Sequence, residues 1–106
     1  MDVLINTDNH VVLKPRARTF IESEVERALG RFGRRLTRAE VYLSDDNGPV
    51  RGGPQDKRCV LEVRPVSMQP VSASDNAATV EEAATGAAQK MKRLLDTTFG
   101  RIDATR

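Results

Sequence analysis

PRARTFIESEVERALGRFGRRLTR, residues 15–38, is the stretch whose reading decides the fold. Its apolar residues Ile21, Val25, Ala28, Leu29, Phe32 and Leu36 recur at helical spacings and line one face. Pro15 suits the first helical turn, where its missing N–H leaves nothing unpaired. Gly30 and Gly33 weaken the far end, so the predicted helix stops at Gly33 or runs to Leu36. The polar face changes sign along its length: Glu22, Glu24 and Glu26 come first, then Arg27, Arg31, Arg34, Arg35 and Arg38 with no acid among them. Acids early and cations late suit the helix dipole. Five arginines in twelve residues exceed what a dipole needs, and they point to a phosphate-binding surface.

Outward from this helix the signals turn to strands. Val3-Leu4-Ile5 is a β-prone run ended by Asn6 to Asn9, which is turn chemistry. Ala39 to Ser44 alternates, with Ala39, Val41 and Leu43 on one face and Glu40, Tyr42 and Ser44 on the other. Two strands separated by a helix predict a parallel pair. Asp45 to Asp56, rich in Gly and Pro, reads as a loop. Lys57 to Val66 predicts the third strand, with Cys59, Leu61 and Val63 inward, and Val71 to Ser74 a short edge strand flanked by proline. Ser74 or Asp75 can cap a last helix from Asn76 to about Phe99, with Val80, Ala83, Ala84, Ala87, Met91, Leu94, Leu95 and Phe99 as its stripe. Residues 103–106 read as a frayed tail.

The order β-α-β-β-β-α predicts an α+β two-layer sandwich: a four-stranded sheet with two helices packed on one face. Ile21, Val25, Leu29, Leu43, Leu61, Val63 and Met91 are its expected core. At 106 residues, the chain is expected to form one domain, 1–106. Nothing approaches the roughly 20 apolar residues of a membrane span, and the N-terminus lacks signal-peptide character, so a cytoplasmic location and no membrane partner are expected. Net charge is only +2, from 17 basic and 15 acidic residues, so any nucleic-acid reading rests on clustering of charge.

No catalytic constellation emerges. His10 is the only histidine and has no nucleophile at a suggestive spacing. Cys59, the only cysteine, sits on an inward strand position, where it acts as a small hydrophobe, and it excludes an internal disulfide or a multi-cysteine zinc site. The Gly-Pro loop fails the Walker pattern, because Gly53 is followed by Pro54 and the loop precedes a strand. It can serve as a plain connection or as a contact loop carrying Arg51, Lys57 and Arg58. Asp45-Asp46 and Glu81-Glu82 are adjacent acids, not an acid and base held across a cleft. No metal, cofactor or small-molecule substrate is expected, and no enzymatic activity. Lys90, Lys92 and Arg93 crowd the second half of the last helix. Side by side, two basic helix ends would form a positive surface. With Tyr42 the only tyrosine and no tryptophan, backbone recognition of folded RNA fits better than stacking of unpaired bases.

The chain resembles the ribosome hibernation-promoting factor family, also called ribosome-associated inhibitors or ribosomal subunit interface proteins, in its short form. Three local features carry the resemblance. Leu29-Gly30-Arg31-Phe32-Gly33-Arg34-Arg35 is similar to the family's Phe-then-basic helix end. Asp46-Asn47-Gly48-Pro49, Gly52-Gly53 and Asp56-Lys57-Arg58-Cys59 resemble a loop of single-domain members, and Asp75 to Glu81 resembles the start of the family's second helix. The resemblance implies a partner, the small ribosomal subunit and its ribosomal RNA, bound under stress in the channel for messenger RNA and transfer RNA. It places Arg27, Arg31 and Arg93 among the cations that would face RNA. With the basic residues read above, the candidate RNA-binding set is Arg27, Arg31, Arg34, Arg35, Arg38, Arg51, Lys57, Arg58, Lys90 and Arg93. Where the family often has Lys and Arg, five and eight residues after Glu81, this chain has Gly86 and Gln89, which thins the second helix's basic surface. The C-terminal domain by which long members pair ribosomes is expected to be missing. Two other classes fit the same features: a protein-binding regulator of the sigma-factor-modulating kind and a general reader of structured RNA.

Overall fold

The computed structural model describes residues 1–46 and 56–104. Arg51 and most of the Gly-Pro loop lie outside them, as do residues 105–106. Strand β1 (Asp2–Thr7) leads to helix α1 (Pro15–Leu29), a 3-10 segment (Gly30–Arg35), and strands β2 (Leu36–Asp45), β3 (Lys57–Pro65) and β4 (Val71–Ala77); helix α2 (Val80–Ala104) closes the chain. The sheet order is β1-β2-β3-β4, with β1 parallel to β2 and the other pairs antiparallel. This is the predicted β-α-β-β-β-α sandwich, and β4 is an edge strand as its flanking prolines suggested.

Alternation on β2 and β3 sends Ala39, Val41, Leu43, Cys59, Leu61 and Val63 to one face, where they are buried against both helices. All seven expected core residues are buried, none more than 2% exposed. Two apolar helices on the same face of one sheet leave the other face to solvent, and Leu4, Tyr42, Arg58 and Arg64 stand exposed on it. Of the expected stripe on α2, Leu94 turns outward; Ala88 joins the core instead.

The element ends differ from expectation for local reasons. The α-helix stops at Leu29, and Gly30 to Arg35 tightens into the 3-10 segment. Gly33, at φ 52°, takes a conformation that other residues rarely adopt, and the Leu36 N–H donates to its carbonyl. The chain is therefore extended from Leu36 onward, and Arg38 sits on β2, not on a helix. At the second boundary, Ser74, Asp75 and Asn76 continue β4 because their backbone pairs with β3, through Val60, Cys59 and Arg58. The cap of α2 is Thr79. Its Oγ1 accepts from the Glu82 N–H at 3.1 Å, a side-chain N-cap, and donates to the Glu82 carboxylate at 3.2 Å. The expected tail at Asp103 and Ala104 is the last turn of α2.

Candidate nucleic-acid interface

Contacts between the helices rise together in residue number: Glu24 with Thr85, Arg31 with Asp96, Phe32 with Phe99, Arg35 with Asp103. The helices thus run in the same direction, and their C-terminal ends meet at one end of the molecule. Both sets of terminal carbonyls favour cations there. The rings of Phe32 and Phe99 touch at 5.6 Å between centroids and form an apolar seam beneath the arginines.

The arginines on this seam are engaged. Arg35 lies 3.8 Å above the Phe99 ring and donates two bonds to the Asp103 carboxylate, both at 3.2 Å. Arg31 sits 5.2 Å over Phe32 and pairs closely with Asp96. Arg27 pairs with Glu24 one turn earlier at 3.0 Å and remains highly exposed. Arg34 is exposed and has no ion-pair partner among the described residues. It lies between a groove lined by Glu26, Leu29 and Gly30 and another lined by Val66, Met68 and Phe99.

A second row of cations runs along the outer flank of α2. Lys90, Arg93, Leu94, Thr97 and Arg101 face Ser74 of β4 across a groove of about 550 Å³. The Lys90 ammonium donates to the Ser74 carbonyl and the Asp75 carboxylate, each at 3.0 Å, which covers the edge strand at that point. Arg93 and Arg101 have no ion-pair partner among the described residues. Gly86 stands one turn before Lys90. A Cβ there would collide with the Asp75 carboxylate, so the Asp75 side chain fills the space that residue 86 leaves open.

The remaining candidates lie elsewhere. Arg38 and Arg58 are on the open face of the sheet, where Arg38 pairs with Glu40 at 2.9 Å. Lys57, at the base of the Gly-Pro loop, bridges Asp45 at 3.1 Å and Asp56 at 3.0 Å, both nearly fully buried. Its bonds to Asp56 and Asp45 hold its ammonium above the usual lysine range. Asp46 N–H to Asp56 carbonyl, 2.8 Å, closes the same base. Nearby, Asp8 accepts from the backbone N–H groups of His10, Val11 and Asp45 and fastens the chain after β1 to β2. Partial burial alone would push the Asp8 carboxyl up; those three donors outweigh it and hold it below the usual range. Burial pushes the Cys59 thiol up to about 12, so it is a core group and not a nucleophile. The described residues contain no cluster of His, Cys, Asp or Glu able to hold a metal ion, and no helix long and apolar enough to cross a membrane.

The sequence reading missed Asp96, Asp103 and Arg101. The first two are 65 and 68 residues from their arginines. Only the side-by-side, same-direction packing of α1 and α2 brings them together.

The chain is thus an α+β sandwich with cations gathered at two adjacent helix ends. This chain belongs to the Sigma 54 modulation protein / S30EA ribosomal protein family, whose model matches residues 4–102. Among solved structures it is similar to a ribosomal subunit interface protein from Coxiella burnetii, with a TM-score of 0.75 and 12% identity over 94% of this chain and 99% of the other. It is also similar to the N-terminal domain of Thermus thermophilus Protein Y, with a TM-score of 0.71 and 16% identity over 92% of this chain and 99% of that one. At such identities these likenesses concern the fold. No match is found among curated proteins.

Proposed function

We propose that this protein is a non-enzymatic, cytoplasmic ribosome-binding factor. It docks on the ribosomal RNA of the small subunit and blocks the messenger and transfer RNA channel by occupancy under stress. The observation that carries the reading is the same-direction packing of α1 and α2, which gathers Arg31, Arg34 and Arg35 at one end of the molecule, while Arg93 and Arg101 lie on the outer flank of α2. Contacts to phosphates supply affinity, and the shape of the helix pair selects folded RNA over single strands. Family membership and the named neighbours support a ribosomal partner.

Co-sedimentation with purified small subunits over a range of salt tests this. Each phosphate contact steepens the fall of log affinity with log salt by about 0.7 on single strands and 0.9 on duplexes. Arg34→Gln/Arg93→Gln removes two cations that have no ion-pair partner among the described residues, and should weaken binding and flatten that slope by about one to two units. No subunit binding at low salt would sink the reading. Capture of an alternative sigma factor in its place would favour the protein-binding class.

A further inference from the structure

We infer that Asp96 and Asp103 are affinity-setting carboxylates that occupy Arg31 and Arg35 in the free protein, where an RNA phosphate would otherwise bind. The inference rests on the ribosome-binding reading above, but concerns which cations are open to any polyanion. Arg35 grips Asp103 through two parallel N–H donors, at 3.2 Å each, which is the geometry a guanidinium offers to phosphate. Arg31 holds Asp96 across the same seam.

Both pairs are open to water. The side chains of Asp96 and Asp103 are 38% and 53% exposed, and those of Arg31 and Arg35 are 56% and 41% exposed. Screened, solvated pairs of this kind are weak and can exchange partners. The Arg35 guanidinium, however, is also held from below by Phe99 at 3.8 Å, and that of Arg31 lies over Phe32 at the looser distance of 5.2 Å. An incoming phosphate therefore meets arginines already positioned, and has only to displace a carboxylate. Two consequences follow. Arg31 and Arg35 contribute less to affinity than their charge suggests, because each phosphate contact is gained at the loss of a carboxylate contact. Each displaced carboxylate also stays nearby and repels the phosphate. Arg34 and Arg93 carry no such tax among the described residues.

The test compares Asp96→Asn/Asp103→Asn with a control that removes the same charge away from the helix ends, Glu22→Gln on α1 with Glu81→Gln at the start of α2. Binding is measured against small subunits and, separately, against a short RNA duplex. Two extra contacts on a duplex steepen the salt slope by about 1.8, which makes the loss of affinity between roughly 50 and 200 mM salt about tenfold larger. The Asn variant should show that change relative to the control. A slope equal to the control's overturns the inference, since the gain would then be net charge alone.

Arg31→Gln/Arg35→Gln gives a second readout that does not depend on the Asn variant folding. In the wild-type background it should move the slope by much less than two contacts' worth; a full loss of about 1.8 overturns masking. If the Asn variant steepens its slope on the duplex while no protein binds small subunits, masking stands and the ribosomal reading falls. If neither variant nor wild type binds either probe, masking falls as well.

Discussion

Two places in this molecule pair cations with two carboxylates, and they do opposite work. At the base of the Gly-Pro loop, Lys57 sits between Asp45 and Asp56, whose side chains are 5% and 2% exposed. At the helix ends, Arg31 and Arg35 hold Asp96 and Asp103 in the open. The chemistry of the pairs is alike and the burial is not. Water competes poorly for the buried acids, so removing their cation leaves charge in a poorly solvated place. At the helix ends, water or a phosphate can take either partner's role. The first arrangement is a lock and the second an exchangeable contact. Sequence position alone ranks Lys57 and Arg31 equally as candidate RNA cations; the burial of their partners separates them.

Lys57→Met is the strongest way to break the comparison. It keeps most of the stem and removes the charge, and it should lower the melting temperature more than any other change named here. The deficit should depend on pH in a specific way. Lys57 has a folded pKa raised above its unfolded value, ordinarily about 10.4. The stability it contributes is complete below that unfolded value and fades as pH rises through the folded one. The gap between wild type and Lys57→Met should therefore be full at neutral pH and narrow as pH rises above the unfolded lysine value of about 10.4. Thermal melts across pH test it; a gap that does not vary with pH would mean that only the packing of the stem matters.

Gly86 sharpens the comparison from the other side. Lys90 is bound to Asp75 in the partly exposed flank, and Asp75 lies where a side chain on residue 86 would go. Gly86→Ala gains about 1 kcal/mol of helix propensity but must push Asp75 and Lys90 aside, and overpacking costs about 1–3 kcal/mol. The net expectation is a loss of about 1 kcal/mol. In an Asp75→Ala background the obstacle is gone, and Gly86→Ala should become stabilising. Denaturant melts of the four proteins in this cycle decide it; a single-variant gain would show that Asp75 moves freely.

The layers were legible in the sequence because each rests on a repeated local pattern. Val41 and Leu43, Leu61 and Val63 alternate on strands, and Ile21, Val25 and Leu29 recur at helical spacing. The element ends were less legible. Ser74-Asp75-Asn76 has the composition of a helix cap, but pairing with β3 won over it, and the actual cap, Thr79, lies three residues past the expected first helical residue, Asn76. Leu36 fits the helical stripe, yet Gly33 had already turned the chain, so Arg38 went to the open face of the sheet. The cations of the candidate surface were readable as a run. Their availability was not, because Asp96 and Asp103 reach them only through the packing of α1 on α2. Likewise Gly86 reads as a missing lysine, whereas in the fold it is the space that Asp75 fills.

The smallest expected effect separates the two exchangeable pairs from each other. Exposed ion pairs contribute about 0–1 kcal/mol each. Arg31→Gln should change stability by at most a few tenths of a kcal/mol, since Asp96 is left in water and the guanidinium is 5.2 Å from its ring. Arg35 makes a two-pronged bond and sits 3.8 Å above Phe99, and a cation over an aromatic face adds about 0.5–1 kcal/mol at exposed sites. Arg35→Gln should therefore cost about 1 kcal/mol. Salt distinguishes the parts. Charge pairing at the surface is screened over roughly 10 Å at 0.1 M ionic strength and over about 3 Å at 1 M, whereas close stacking of the guanidinium on the ring is not. Raising salt should erase the small deficit of Arg31→Gln and leave most of that of Arg35→Gln. Should both deficits vanish in high salt, the ring contact contributes nothing, and Arg35 would be as free to leave Asp103 for a phosphate as Arg31 is to leave Asp96.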